Sequence, residues 1–228
     1  MQPRGGSFFG RRKGKTLKAT QRVALDRAFP ALRLDLTAPA PARLAALFPI
    51  AVDEVRLEIG FGGGEHLLHE ARCFPETGVI GVEPFQNGLA KAVAAIAQES
   101  LTNIRLFDQD ATLLLDWLPP DSLSRIDLLY PDPWPKLRHW KRRFVQAENI
   151  ARIVRVLRAG GSFRFASDVE AYLKWAWREV GRDGRLLPTA DGIEACRQAW
   201  PGWPGTRYEA KAVAEGRRPA YLEFRKLG

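Results

Sequence analysis

The stretch that decides the fold of this 228-residue chain is residues 55–65, Val-Arg-Leu-Glu-Ile-Gly-Phe-Gly-Gly-Gly-Glu. The alternating apolar residues Val55, Leu57 and Ile59 predict a short strand, and glycines occupy four of the next five positions. A helical pattern begins near Glu65, so we expect a strand, a tight turn and a helix. Glycines there allow positive φ and let a ligand approach the main chain, while the free N–H groups of the helix point at the same place.

The spacing and charge of this turn bear on the ligand that it could hold. A dinucleotide-binding turn has the pattern Gly-x-Gly-x-x-Gly, but Glu65 stands at the position of the third glycine, so NAD is disfavoured. Glu58, just before the turn, adds a second negative charge, which suits a cationic ligand such as S-adenosylmethionine. The alternative is that residues 60–64 form only a tight turn and that Glu58 is a solvated strand end.

Composition limits the class of protein. The formal net charge of +9 indicates a polyanionic partner such as RNA. The only two cysteines, Cys73 and Cys196, argue against a disulfide framework, and no apolar run reaches 18 residues. We therefore expect a cytoplasmic protein with no membrane segment.

The N-terminal segment is predicted to be a flexible basic arm covering residues 1–22, followed by a single domain at 23–228. From Arg4 to Arg22 the chain carries seven Lys or Arg residues and no acidic residue, interrupted by glycines. Such an arm could lie along phosphates, with Phe8 and Phe9 able to stack on a base. The alternative is a solvated tail.

The remaining pattern predicts an α/β fold with a doubly wound sheet. After the first strand, apolar runs at 79–83, 104–107, 126–130 and 162–166 alternate with helical segments, which is typical of a parallel sheet covered by helices. We predict the last two strands at 208–212 and 220–225, completing a seven-stranded, mostly parallel sheet with an antiparallel edge strand.

Acidic residues follow three of the predicted strands. Glu58, Glu83 and Asp110 lie where the carboxyl ends of parallel strands meet, which is where such sheets bind ligands. Glu83, at the tip of the second strand, is suited to accept hydrogen bonds from ribose hydroxyls. These positions together predict a site for an adenosine-containing ligand.

A proline-rich loop follows the fourth strand. Residues 131–136 read Pro-Asp-Pro-Trp-Pro-Lys, and three prolines in five positions predict a rigid loop that positions the Asp132 carboxylate. The alternative is that the loop only ends the strand and buries Trp134. Five further basic or histidine side chains follow within residues 138–143, which predicts a landing surface for a phosphate backbone.

No metal site is expected. His66 and His69 lie one helical turn apart with Cys73 beyond them, a spacing that could hold a metal. The usual zinc-protease spacing is missing and no second cluster of ligands is present, so we interpret these residues as surface or packing residues.

Several of these motifs together resemble the bacterial tRNA (guanine-N7)-methyltransferase family. The resemblance rests on Glu-Ile-Gly-Phe-Gly at 58–62, Gly-Val-Glu at 81–83, the proline loop with Arg-His-x-Lys-Arg-Arg at 138–143, Ser-Asp at 167–168 and Thr-Arg-Tyr-Glu at 206–209. It implies a class I (Rossmann-like) methyltransferase fold. It also implies methyl transfer from S-adenosylmethionine to N7 of a guanine in the tRNA variable loop, expected at position 46.

The resemblance also implies roles for particular residues. Cofactor binding is implied for Glu58, Gly60, Glu83, Asp110 and Asp132, and Asp132 is the catalytic candidate. Substrate contacts are implied for Lys136, Asp168, Thr206, Arg207, Tyr208 and Glu209, and the basic patch is Arg138, Lys141, Arg142 and Arg143. The chain departs from the family pattern at Leu137, Trp140 and Arg218-Pro219.

Two alternatives stay open at this point. An amino-directed base methyltransferase would carry Asp-Pro-Pro-aromatic after the fourth strand, where this chain has Asp-Pro-Trp-Pro. A non-catalytic RNA-binding protein with a vestigial cofactor pocket would share the basic surface. The oligomeric state, monomer or homodimer, does not follow from the sequence.

Overall fold

The computed structural model describes Gly10 and residues 12–228 of the chain. Its helices are α1 (Ala19–Leu32), α2 (Glu65–Cys73), α3 (Gln86–Glu99), α4 (Ala111–Trp117), α5 (Ala147–Val156), α6 (Glu170–Asp183) and α7 (Arg207–Ala214). Its strands are β1 (Glu54–Ile59), β2 (Thr77–Val82), β3 (Ile104–Phe107), β4 (Leu123–Leu129), β5 (Leu157–Ser167), β6 (Leu186–Pro188) and β7 (Ala220–Lys226). Short 3₁₀ helices lie at Leu44–Leu47, Leu137–Arg142 and Glu194–Cys196.

One seven-stranded sheet has the order β3-β2-β1-β4-β5-β7-β6. The first five of these strands pair in parallel, with β1 between β2 and β4. At the far edge β7 runs antiparallel to β5 and to β6. The predicted doubly wound, mostly parallel sheet with an antiparallel edge strand is confirmed.

The predicted strand at 208–212 is wrong, because these residues belong to helix α7. The Thr206 side chain accepts a hydrogen bond from the backbone N–H of Glu209 and so caps the helix, and the following residues are mostly good helix formers. The sixth strand is β6, which pairs along β7 in register Leu186↔Lys226. Because β6 pairs with β7 at this edge, residues 208–212 do not form a strand there.

Part of the predicted N-terminal arm lies outside the described residues. Residues 1–9 and 11, and with them Phe8 and Phe9, are not described. Within the described part, the main chain of residues 12–15 is hydrogen-bonded to the start of α3. The Arg12 carbonyl accepts from the Gln86 N–H (3.0 Å), the Gly14 N–H donates to Asn87 Oδ1 (2.8 Å), and Asn87 Nδ2 donates to the Lys15 carbonyl (2.6 Å). Helix α1 begins at Ala19, and the division into arm and domain at residue 22 stays a prediction.

Helices cover both faces of the sheet and bury two apolar clusters. Residues such as Leu114, Ile153 and Leu173 bring α4, α5 and α6 onto the larger cluster. Leu67 and Val93 bring α2 and α3 onto the other, with part of α1 packed against it. Burial on both faces explains why β2, which is buried along its whole length, contains no charged residue.

The buried Asn103 side chain closes the connection between α2 and β2. Its amide nitrogen lies within hydrogen-bond distance of three carbonyl oxygens, those of Ala71 (3.0 Å), Phe74 (3.2 Å) and Thr77 (3.0 Å). One side chain therefore holds the helix end and the strand start together, and its loss would remove a donor from buried carbonyl oxygens.

We expect Asn103→Asp to destabilise the protein by about 3–5 kcal/mol, because a buried carboxylate would replace a donor against three carbonyl oxygens. Urea unfolding at neutral pH measures this change. Gln98→Glu, which makes the same change of charge at an exposed position of α3, is the matched control, with an expected effect within about 0.5 kcal/mol. Equal effects of the two substitutions would contradict the proposed function of Asn103.

Candidate functional site

A cavity of about 810 Å³ opens at the carboxyl ends of β1, β2 and β4. Its wall includes Gly60 and Gly62 after β1, Glu83 after β2 and Asp132 after β4. Because these strands are parallel neighbours in the sheet, their ends deliver these residues to one place. A volume of this size suits a nucleoside-sized ligand.

The glycine turn leaves bare main chain at the cavity. Gly60, Gly62 and Gly64 have φ of +75°, +56° and +82°, a backbone conformation that favours glycine. A Cβ atom added at Gly60 would meet nothing within 4 Å, whereas one added at Gly88 would lie 2.2 Å from the Gly62 carbonyl oxygen. The turn is therefore open on the side of Gly60 and packed against the first turn of α3 on the other side.

Glu83 joins the ends of β1 and β2. Its carboxylate accepts hydrogen bonds from the backbone N–H groups of Gly62 (2.7 Å) and Phe85 (2.8 Å). Burial raises the pKa of Glu83, and the two N–H donors partly oppose that shift. Each carboxylate oxygen keeps a second lone pair with which to accept a bond from a ligand hydroxyl.

Asp110 begins helix α4 at the cavity wall. Its Oδ1 atom accepts hydrogen bonds from the backbone N–H and the hydroxyl of Thr112, both at 2.9 Å, so the carboxylate caps the helix. The side chain is thereby held in one orientation beside the cavity.

Glu58 does not line this cavity but lies buried beneath the glycine turn, so the alternative of a solvated strand end is wrong. Its Oε2 atom lies 2.8 Å from Nδ1 of His66, which is also buried. Glu70 pairs with both Arg56 and Arg125, and Arg125 also pairs with Asp127. A layer of paired charges therefore supports the turn from below.

Glu65 also stands away from the cavity wall. Its carboxylate pairs with Lys91 Nζ at 2.7 Å on the outer side of the turn, and it lines a separate shallow groove beside α7. The negative charge that the sequence placed at the third glycine position therefore lies outside the large cavity.

The proline loop presents Asp132 on the cavity wall with its side chain exposed. The carboxylate makes no hydrogen bond or ion pair with residues in the described part of the chain. Two residues that flank it, Tyr130 and Trp134, have φ of +47° and +43°, which is strained for residues with large side chains. The surrounding contacts must therefore hold the loop in this conformation.

The basic patch predicted after the loop divides in two. Lys136, Arg138 and Lys141 are exposed, and the guanidinium carbon of Arg142 lies 4.9 Å from the centre of the Trp134 ring. Arg143 is only 1% exposed. The structure therefore does not place Arg143 on the surface with the other basic residues, because aromatic rings enclose its guanidinium group.

Residues 206–209 form the start of helix α7 and its N-terminal cap. Tyr208 lines the cavity, and its ring would lie 3.6 Å from a Cβ atom at Gly62. The Glu209 carboxylate instead accepts hydrogen bonds from Trp203 Nε1 and the Tyr221 hydroxyl. Asp168 forms an ion pair with Arg217.

The cavity wall thus holds some of the predicted site residues and excludes others. Those on the wall are Gly60, Glu83, Asp110, Asp132, Lys141, Arg142, Arg143 and Tyr208, and those off it are Glu58, Lys136, Arg138, Asp168, Thr206, Arg207 and Glu209.

Sequence reasoning missed the residues that hold these groups in place. The His66 ring centre lies 5.2 Å from that of Trp203, with the two planes tilted by 39°. Trp203 donates to Glu209, so the layer beneath the turn is linked to α7. Asn87 and Gly88 are also absent from the predicted site. The Gly-Gly-Gly-Glu-His spacing offered one signal for His66, but nothing local indicates its contact with Trp203.

Two absences concern only the described residues. Among Gly10 and residues 12–228, no cluster of three or more metal-ligating side chains is present. No helix in that part of the chain is both long and apolar enough to cross a membrane.

Comparisons with known proteins agree with this architecture. The family model described as "Putative methyltransferase" matches residues 53–221. A protein of Chelativorans sp. (strain BNC1) is 57% identical over 218 residues, covering 96% of this chain and 94% of the relative, and one of Mesorhizobium japonicum is 56% identical with the same coverage. Both relatives are named tRNA (guanine-N(7)-)-methyltransferase.

Solved structures share the fold at low sequence identity. The 16S rRNA methyltransferase KamB has a TM-score of 0.57 and 18% identity, covering 83% of this chain and 94% of that one. The aminoglycoside resistance methyltransferase NpmB1 has a TM-score of 0.51 and 17% identity, covering 78% and 89%. At these identities the likeness shows the fold alone, a class I methyltransferase fold.

The buried pair of Glu58 and His66 predicts a pH-dependent contribution to stability. Burial by itself would lower the pKa of His66, but the carboxylates of Glu58, Asp127 and Glu70 raise it above its usual 6.5. Such a contribution is fully present below the unfolded-state pKa and is lost as the pH rises through the folded-state pKa. We expect the stability advantage of wild type over His66→Gln, measured by urea unfolding, to be larger at about pH 5.5 than at about pH 8.5.

His69→Gln is the control on the same helix, because the His69 ring contacts the Gly202 carbonyl oxygen and Cys73 rather than a carboxylate. The stability difference between wild type and His69→Gln should change much less between the two pH values. If the stability difference between wild type and His66→Gln is equal at both pH values, the predicted rise in the pKa of His66 is contradicted.

Proposed function

This chain belongs to the tRNA (guanine-N7-)-methyltransferase family, and we propose that it transfers the methyl group of S-adenosylmethionine to N7 of a guanine in the tRNA variable loop, expected at position 46. The observation that carries this proposal is one cavity that joins the glycine turn, two strand-end carboxylates and Asp132 beside an exposed basic surface. A tRNA substrate also implies that the protein acts in the cytoplasm.

The residues of the cavity fit S-adenosylmethionine. The space above Gly60 accepts a ligand against the main chain, and the Glu83 carboxylate is suited to accept hydrogen bonds from ribose hydroxyls. Asp110 and Asp132 bring further negative charge, which favours a cationic ligand over a phosphate-containing one. When bound, this cofactor would supply a methyl group on a sulfonium centre. Glu58, buried beneath the turn, would support the cofactor site because its contact with His66 holds α2 against the turn.

The exposed cations beside the proline loop fit an RNA backbone. Lys136, Arg138 and Lys141 lie next to Asp132 along the chain and can contact phosphates without losing buried partners. The 206–209 segment and Asp168 would complete the substrate side. Tyr208 would reach the substrate from the cavity wall, while Glu209 holds α7 in place through Trp203 and Tyr221.

The chemistry asks little of a general base. Guanine N7 has a lone pair at neutral pH, so in-line placement against the methyl group supplies much of the rate, on the order of 7–11 kcal/mol. Alkylation puts positive charge on the purine. The Asp132 carboxylate, which has no ion-pair partner in the described part of the chain, would offset that charge and accept a hydrogen bond from guanine N–H.

The direct test is incubation of the purified protein with methyl-labelled S-adenosylmethionine and unmodified tRNA, followed by digestion to nucleosides. We expect label in 7-methylguanosine, and we expect it to vanish when the variable-loop guanine is replaced by adenine. Label in another nucleoside would contradict N7 specificity. Cofactor binding without label would favour a non-catalytic RNA-binding protein.

We expect Asp132→Asn to lower the single-turnover rate by about 10²- to 10³-fold, because the amide cannot offset charge on the purine. Rapid quench with saturating tRNA and cofactor measures this rate. Asp53→Asn removes the same charge at the opposite, amino end of β1 and should leave the rate unchanged. Full turnover by Asp132→Asn with normal binding of both ligands would refute this role.

We expect Gly88→Ala to weaken binding of S-adenosylmethionine by about tenfold or more, because the added Cβ would displace the glycine turn. Calorimetric titration measures the dissociation constant. Gly181→Ala in α6 is the matched control, since a Cβ there meets nothing within 4 Å. It should keep cofactor affinity and gain up to about 1 kcal/mol of stability. Unchanged affinity in both variants would contradict the location of the cofactor at this turn.

A further inference from the structure

Arg143 stands out among the basic residues that follow the proline loop because its charge is inside the protein. Its side chain is 1% exposed, although the residues on either side of it in the sequence are partly exposed. The guanidinium carbon lies 4.4 Å from the centre of the Trp140 ring, 4.8 Å from that of Tyr172 and 5.4 Å from that of Trp175. Such an arrangement stabilises a desolvated cation through the faces of the rings.

The guanidinium group donates its hydrogen bonds to main-chain oxygens of two elements. Its Nε atom donates to the Pro133 carbonyl at 2.9 Å, and Nη1 lies 3.4 Å from the Ala171 carbonyl in the first turn of α6. Arg143 therefore joins the proline loop to the helix that follows β5. Pro133 is the immediate neighbour of Asp132, so the bond holds the main chain at the residue next to the reacting group.

The loop needs such a contact. Its three prolines have no N–H to donate, so it cannot stabilise itself through backbone hydrogen bonds as a helix or a strand does. The peptide bond that carries the Pro133 carbonyl leads into Trp134, whose φ of +43° lies in the left-handed region. A conformation of this kind persists only where surrounding structure holds it.

We propose that Arg143 is a positioning residue, which fixes the Asp132 loop through the Pro133 carbonyl and the aromatic cage, and is not one of the residues that bind tRNA phosphates. The expected effect on the methylation rate rests on the proposed function. A phosphate contact through Nε or Nη1 would require the guanidinium to leave three rings and two carbonyl oxygens, and Nη2, which has no partner among the described residues, is itself buried. The exposed Arg138 and Lys141, on the 3₁₀ helix that ends just before Arg143, can reach phosphates without such a loss.

The geometry requires arginine specifically. A planar guanidinium can donate along its edge to the Pro133 and Ala171 carbonyls while its central carbon lies 4.4 Å from the Trp140 ring centre and 5.4 Å from that of Trp175. A lysine ammonium keeps the charge but has neither the planar group nor the forked arrangement of N–H donors. A phosphate contact, in contrast, would tolerate lysine well, because it depends mainly on charge.

Two substitutions separate these roles, Arg143→Lys and Arg143→Met. We expect Arg143→Lys to lower the single-turnover methylation rate by about 10- to 100-fold at saturating tRNA and cofactor, even though it keeps the charge. We expect Arg143→Met to leave the salt dependence of tRNA affinity at the wild-type slope, even though it removes the charge. Filter binding over a range of KCl concentrations gives that slope.

Arg138→Met and Lys141→Met are the matched comparisons for the slope. Each removes one charge from the exposed face of the same 3₁₀ helix and should reduce the slope of log affinity against log salt by about 0.7–0.9. A reduction of this size in Arg143→Met, together with a wild-type rate in Arg143→Lys, would overturn the proposal.

Hydrogen exchange in the absence of tRNA tests the positioning role independently of catalysis. We expect the amides of Tyr130 and His139, which donate to the Ala166 and Lys136 carbonyls at the two ends of the loop, to exchange faster in Arg143→Lys than in wild type. Core amides of β4 and β5 should keep their protection and show that the variant is folded. Unchanged exchange at Tyr130 and His139 would overturn the proposal. If wild type makes no 7-methylguanosine, the proposed function fails, but this measurement still decides whether Arg143 holds the loop.

Discussion

The parallel pairing of β1 with both β2 and β4 is the constraint on which the site depends. Parallel neighbours end at the same edge, so the segments that follow the three strands must meet there. These segments are the glycine turn, Glu83 and the proline loop with Asp132. Each connection then returns through a helix. Residues separated by more than 70 positions in the chain thereby form one wall.

Beneath this wall, buried charges hold the turn in place. Arg56 and Arg125 share the Glu70 carboxylate, and Glu58 pairs with His66. Burying unpaired charges would cost several kcal/mol each, so the network is stable only with all of its members in place. From His66 the contacts continue through Trp203 to Glu209 at the start of α7. The layer beneath the glycine turn is therefore connected to the start of α7.

Basic residues that follow the proline loop lie in two different environments. Arg138 and Lys141 remain in solvent, where their charges attract a polyanion at little cost. Arg143, two residues beyond Lys141, is enclosed by Trp140, Tyr172 and Trp175, so its charge serves the fold of the loop. The run of basic residues thus combines an exposed cationic surface with an internal contact to the loop that carries Asp132.

Local spacing in the sequence was sufficient to predict the parallel sheet, the turn at 60–64 and the acidic residues at the strand ends, because strand period, glycine conformation and proline stiffness act over a few residues. Only the tertiary structure decided that β6 rather than 208–212 pairs with β7, that Glu58 lies under the turn and that Arg143 is buried. Each of these outcomes depends on partners far away in the chain, namely β6 beside β7, His66 below β1 and Trp175 on α6. Burial decides the role of a charged side chain, and burial is set by long-range packing that no local pattern contains.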